Sequence, residues 1–204
     1  MSAAGRVLRL VHFRPVHRDF DEFLRSEMIP DLRLLDGLIT VHVGRRSDDQ
    51  GEDRVVASIW RDRDAMVAGV GATLEAPSFH PERLVDTADR TIEVLDLDVI
   101  LTFDRPEPAT LLRVFRGAVR SGELGAYING VRAGTEADAA DGEGPCALYL
   151  APDPPERFVT VSLWSSWQAI ERATGGDIHR PLTTKDSSRL VEMDIAHYEV
   201  VGAV

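Results

Sequence analysis

The chain has one cysteine, Cys146, so no disulfide can form within it and folding must rest on buried apolar surface. Cations are outnumbered. Lys185 is the only lysine, and 23 basic residues face 34 acidic ones for a net charge of −11. That balance disfavours general nucleic-acid binding, which needs clustered cations against phosphates. No apolar run approaches the length that spans a bilayer, and the opening "MSAAGRVLRLVHF" has no long apolar stretch ahead of a cleavage site. The expectation is a soluble, cytoplasmic protein. The sequence contains no G-x-S-x-G elbow, no P-loop and no G-x-G-x-x-G, and "GVGAT" falls inside a helical pattern. Paired Cys/His spacing for a metal is also missing.

What is present suffices for a large core: 204 residues, 44 % of them hydrophobic, with 28 % charged for the surface. The chain also repeats itself. "VVASIWRDRDAM" (Val55 to Met66) and "VTVSLWSSWQAI" (Val159 to Ile170) are each an apolar run closed by Trp, then polar residues, then Ala and a large aliphatic residue. In the first copy "VLRLVHFR" predicts a strand. Phe20, Phe23 and Leu24 then mark a helix that Pro30 bends or breaks. "LITVHVGRR" and "RVVASIW" predict a hairpin, Asp62 caps a helix from about Arg63 to Thr73, a loop holds Pro77 and Pro81, and "RTIEVLDLDV" is the last strand. The second copy is read in the same order. "VILTFDR" is its first strand, and "PEPATLLRVFRGAV" a helix with Leu111, Leu112 and Phe115 on one face. "CALYLAP" and "RFVTVSLW" form a hairpin, Ser166 caps a helix, and "RLVEMDIAHYEVV" closes the copy. "GELGAYINGVRAG", with Asn129, reads as a short helix, and "RAGTEADAADGEG" as a solvated loop.

Each copy is then β-α-β-β-α-β, the ferredoxin-like arrangement with strand order 4-1-3-2. The expected class is α+β, with one half over 1–97 and another over 98–204. Apolar residues of both parities in strands such as Val7, Leu8, Leu10, Val11 and Phe13 predict sheets buried on both faces. The simplest cover is the sheet of the other copy, which makes an intramolecular, pseudo-dimeric α+β barrel.

The strand ending in Trp, the polar cap and the Ala-aliphatic helix resemble the dimeric α+β barrel superfamily. "SLWSSWQAIERATGGD" with the terminal "HYEVV" is similar to antibiotic-biosynthesis-monooxygenase (ABM) domains. The resemblance implies a cofactor-independent monooxygenase acting on a small aromatic or quinone-like molecule. It also implies a covalently fused pseudo-dimer that could itself form a homodimer. A non-catalytic ligand-binding or structural protein is the alternative, since fold does not fix function. Haem binding or degradation is a second alternative. The haem-degrading branch has Asn on its first strand and His late in the helix after the Trp strand; "VLRLVHFR", "VILTFDR", "DRDAMVAGVGAT" and "SWQAIERAT" have neither. No cofactor and no metal are therefore expected, although Arg132, Arg172 and Arg180 could form a local cradle for propionates.

Aromatics make up 6 % of the chain, and all three tyrosines and two of three tryptophans fall in the second copy. That asymmetry favours a small-molecule pocket there, between sheet and helices. His197 is the candidate base. Tyr149, Trp164, Trp167, His179, Tyr198, His12 and Trp60 are candidate substrate contacts. His197 and Tyr198 are consecutive on a strand, so they face opposite sides. Trp60 and Trp164 also fit a plain packing role. His12 and His42 are separated by a strand, about 10 Å for a strand spacing near 4.8 Å, and are poor joint ligands for a metal. His17 and His80 read as surface residues, and Cys146 as a small buried one.

Overall fold

A computed structural model describes residues 5–14, 20–48, 51–70, 92–105, 107–140, 144–182 and 187–204. His17, His80, Pro77, Pro81 and Lys185 lie outside the described residues. The chain forms two compact units. The N-terminal unit holds Ser2–Asp98 together with Tyr198–Val204, and the C-terminal unit holds Val99–His197.

In the N-terminal unit, β1 (Val7–Phe13) is followed by a helical segment, α1, over 20–32. Its middle, Leu24–Met28, is a wide π turn, with the Ile29 N–H reaching back to the Leu24 carbonyl. Pro30 explains the irregularity, since it has no N–H to continue the regular ladder. The hairpin β2 (Leu38–Asp48) and β3 (Gly51–Trp60) leads to α2 (Arg63–Val70) and β4 (Glu93–Asp98). The strand order is β4-β1-β3-β2, all antiparallel. A fifth strand comes from the chain's end: the last residues of β9 (Leu190–Ala203) pair with β2, His42 opposite Ala203 and Arg45 opposite Glu199.

Strand parity sorts the core. Val11, Phe13, Val41 and Val43 meet Phe23, Leu24, Met28 and Leu32 of α1, while Val7 and Trp60 meet Met66 and Val70 of α2. The alternate residues Leu8 and Leu10 are fully buried as well. β3 separates His12 from His42, as the 4-1-3-2 order requires. His42 lies within hydrogen-bond reach of the Thr40 hydroxyl (Nε2 to Oγ1, 3.0 Å), and that hydroxyl donates to the Val204 carbonyl at 2.9 Å. Burial lowers the His42 pKa to about 4, so the ring is neutral in the folded protein at pH 7.

The C-terminal unit repeats the plan but corrects the sequence reading of its first half. Leu111–Val119 is a strand, β6, and not a helix. The spacing of Leu111, Leu112 and Phe115 imitates a helical face because this strand is buried on both sides, so apolar residues fall at both parities. The β-branched Val114 and Val119 suit a strand better than a helix interior. "VILTFDR" does hold a strand, β5 (Leu101–Asp104), but it pairs with β7 (Ala147–Asp153) as a flank. The helix of the first crossover is α3 (Leu124–Ala140), longer than the short helix expected around Asn129. It takes in most of the run read as a solvated loop, whose alanines are strong helix formers. β8 (Arg157–Trp164), α4 (Trp167–Thr174) and the first part of β9 complete the unit. Its order is β9-β6-β8-β7-β5, again 4-1-3-2 with a fifth strand beside the second.

The opening repeat is thereby explained atom by atom. Trp60 Nε1 donates to Ser58 Oγ, and Trp164 Nε1 to Ser162 Oγ, both at 3.0 Å. Val7 lies opposite Trp60, and Leu111 opposite Trp164. Two residues beyond each Trp stands the cap: Asp62 accepts from the Ala65 N–H at 2.7 Å and Ser166 from the Ala169 N–H at 3.2 Å. In register with each Ser sits an arginine, Arg9 opposite Ser58 and Arg113 opposite Ser162.

Cys146 is buried, and burial pushes its thiol pKa up. Its thiolate fraction is therefore small. We expect no reaction with Ellman's reagent in the native protein at pH 7.5 and one equivalent after denaturation; rapid native labelling would contradict this burial.

Candidate functional site

Three of the expected site residues converge in the C-terminal unit. His197, on β9, is buried at 8 % exposure. Its ring lies 5.3 Å (centroid to centroid) from that of Trp167, the first residue of α4, and 5.7 Å from that of His179, which meets it edge-on. The loop carrying His179 is shaped by the end of α4. Gly175 and Gly176 adopt φ of 70° and 94°, and their N–H groups satisfy the carbonyls of Arg172 and Glu171. The Asp177 carboxylate then accepts from the His179 N–H at 3.0 Å, fixing the turn that returns the imidazole to the sheet. Trp167 is 40 % exposed, so the buried imidazole has an aromatic neighbour that reaches solvent.

The other candidates lie elsewhere. Tyr198 belongs to the N-terminal unit, where its hydroxyl is 3.4 Å from both His12 Nδ1 and Asp53 Oδ2, and the Arg46 guanidinium lies 5.4 Å from its ring centre. Trp60 and Trp164, at 1 % and 0 % exposure, sit in core clusters with their indole N–H groups satisfied by serine. Tyr149 is buried on β7, of opposite parity to Leu148 and Leu150, which pack under α3.

A cavity does lie between sheet and helix in this unit. Arg113, Phe115, Leu148 and Thr160 form its sheet side, and Tyr127 and Thr135 its helix side. Val131, Gly134 and Asp138 of α3, and Leu182, also border it. About 20 Å³ is open to the centres of water molecules, room for a water or two. Neither the candidate base His197 nor any of the candidate substrate contacts lines it; with the first strand read at "VILTFDR", Arg113 falls on an expected helix. The missed signal was in the sequence: "VLRL" and "LLRV" share their Leu-Arg pair between aliphatic residues and mark Arg9 and Arg113 as equivalents. A space of this size is far below the 300–1,000 Å³ of ordinary cofactor pockets and does not fit a porphyrin. Among the described residues, no group of three or more His, Cys, Asp or Glu is arranged to hold a metal.

No family model matches the sequence, and no curated protein matches it. Solved structures do match the fold. The "putative monooxygenase" of Fusobacterium nucleatum superposes with a TM-score of 0.77 at 10 % identity, over 98 % of this chain and 94 % of that one. A "putative monooxygenase" of Lactobacillus acidophilus gives 0.76 at 12 % identity, over 98 % and 96 %. An "anthrone oxidase-like protein" gives 0.65 at 15 % identity, over 100 % and 95 %. Further matches include a ferredoxin-fold protein related to antibiotic biosynthesis monooxygenases from Listeria monocytogenes and a haem-binding protein from Thermus thermophilus. The chain thus shares the α+β, ferredoxin-like fold of these solved structures, with the ferredoxin-like unit present twice.

Proposed function

We propose that the C-terminal unit is the working half of a cofactor-independent monooxygenase acting on a small hydroxylated aromatic or quinone-like molecule. The observation that carries this reading is the buried His197 ring, flanked by Trp167 and by His179 on a turn of defined shape. A buried imidazole can take a proton from an acidic aromatic substrate, and the resulting carbanion can meet oxygen where water is excluded. Trp167 offers a flat face against which such a substrate can stack. The monooxygenase and anthrone oxidase-like names of the proteins that share the fold agree with this chemistry. The N-terminal unit, in which Arg9 is paired with Asp96, serves in this reading as scaffold.

Oxygen uptake over a panel of hydroxylated aromatics tests the proposal. We expect turnover of at least one anthrone- or hydroquinone-type compound without added metal, flavin or haem. We expect His197→Gln to lower kcat about a hundredfold, the lower end for loss of a general base. The narrowness of the cavity under α3 favours the second reading, a non-catalytic binding protein. Absence of uptake across the panel, with the compounds still bound, would establish that reading instead.

A further inference from the structure

Arg113 is placed where a cation should not be left alone. It is 1 % exposed, on the interior strand β6 and bordering the cavity under α3. Its Nη2 donates to two main-chain carbonyls of the loop after α4, Arg180 at 2.5 Å and Ile178 at 3.5 Å. Its Nε is buried without a hydrogen-bond partner. Among the described residues no carboxylate forms an ion pair with it. Carbonyl dipoles satisfy N–H groups but carry no net charge, so among the described residues nothing offsets the buried cation, an unfavourable state for an ion taken out of water.

The equivalent arginine shows what compensation looks like. Arg9 occupies the same register, opposite Ser58, and is equally buried. Its Nε lies 3.7 Å from the carboxylate of Asp96, the residue opposite it on β4. One copy of the repeat thus supplies an internal anion, and the other supplies a cavity.

We propose that Arg113 is the anion-binding group of a small-molecule subsite under α3, which takes the carboxylate or phenolate oxygen of an aromatic ligand. The guanidinium presents a planar fork that matches a carboxylate in two parallel hydrogen bonds. Phe115, Tyr127 and Leu148 give an apolar and aromatic bed for the attached ring, while the Tyr127 and Thr160 side chains add polar atoms beside the anion. Burial already lowers the Arg113 pKa to about 10, because the charged form is desolvated there. Since the cavity holds only a water or two, the ring enters by displacing part of its wall, and Leu182 lies on that wall at the end of the loop that Arg113 holds. Anion binding and the position of the His179 loop are therefore coupled through one guanidinium. The site needs no turnover, so it stands or falls separately from the oxygenase reading.

The test uses the full chain with benzoate and benzamide as probes, which share shape and differ in charge. By calorimetry at pH 7 we expect one benzoate per chain, bound at least tenfold more tightly than benzamide. Arg113→Gln should abolish the preference, Arg113→Lys should retain part of it, and Arg9→Gln should leave it intact. Equal affinity for the two probes, no saturable benzoate binding up to about 10 mM, or an unchanged preference in folded Arg113→Gln would each overturn the proposal. If Arg113→Gln does not fold, the wild-type protein still decides. Benzoate should shift the amide resonances of Gly134, Thr135 and Leu182, and shifts confined elsewhere would place the anion at another site.

Discussion

Trp164→Ala is expected to destabilise the C-terminal unit by about 3–5 kcal/mol, the range for removing a buried aromatic side chain. Trp164 is completely buried, clustered with Leu111 and Ile170, and its indole N–H is satisfied by Ser162. Truncation would leave a large void under α4 and would strip the Ser162 hydroxyl of its donor. Trp164→Phe should cost less, because most of the volume stays and chiefly the hydrogen bond is lost, about 1 kcal/mol. Urea denaturation followed by circular dichroism measures both. A loss under 1 kcal/mol for Trp164→Ala would mean that the indole is not part of the core, and would revive a ligand-facing role for it.

Lowering the pH from 7 to 4 should remove about 2–3 kcal/mol of stability through His42 alone. The folded protein holds this imidazole neutral down to about pH 4, whereas in the unfolded chain it titrates near 6.5. Between those values the unfolded state binds more protons, so stability falls as pH falls; above about 6.5 the contribution is constant. Carboxylates titrate at the lower end of the same window. The informative quantity is therefore the difference in slope between wild type and His42→Gln. The variant should show a flatter stability profile between pH 6.5 and 4, whatever its absolute stability. Parallel profiles would mean that His42 becomes protonated in the folded state.

The legibility of this fold from sequence was uneven for a physical reason. The segments "SIWRD" and "SLWSS" were readable because their signals are local: a strand run, an indole, a cap at a fixed offset and a helix. β6 was not. Its central strand is buried on both faces, so it lacks the two-residue alternation that identifies a strand, and Leu111, Leu112 and Phe115 imitate a helical stripe. That error moved the first strand to "VILTFDR" and hid the equivalence of Arg9 and Arg113. The neighbourhood of His197 was half legible. Parity on β9 predicted that His197 and Tyr198 diverge, but the return of His179 depends on two left-handed glycines and an Asp177 turn after α4, which only the folded loop displays. Arg113 could not be valued from sequence at all, because its burial and its main-chain partners, Ile178 and Arg180, appear only in the folded unit.

The fifth strand of each unit has a consequence for how the protein keeps to itself in a crowded solution. β2 and β7 would otherwise each present a row of unpaired amides and carbonyls, a template onto which a strand from another molecule could dock. The end of β9 occupies that row on β2, and β5 occupies it on β7. The short strands beyond are poor templates in their turn: β5 is four residues long and ends on Asp104, and β4 carries Glu93, Asp96 and Asp98. The chain's last few residues therefore act as a guard against intermolecular strand addition and aggregation, over and above any part they take in the core.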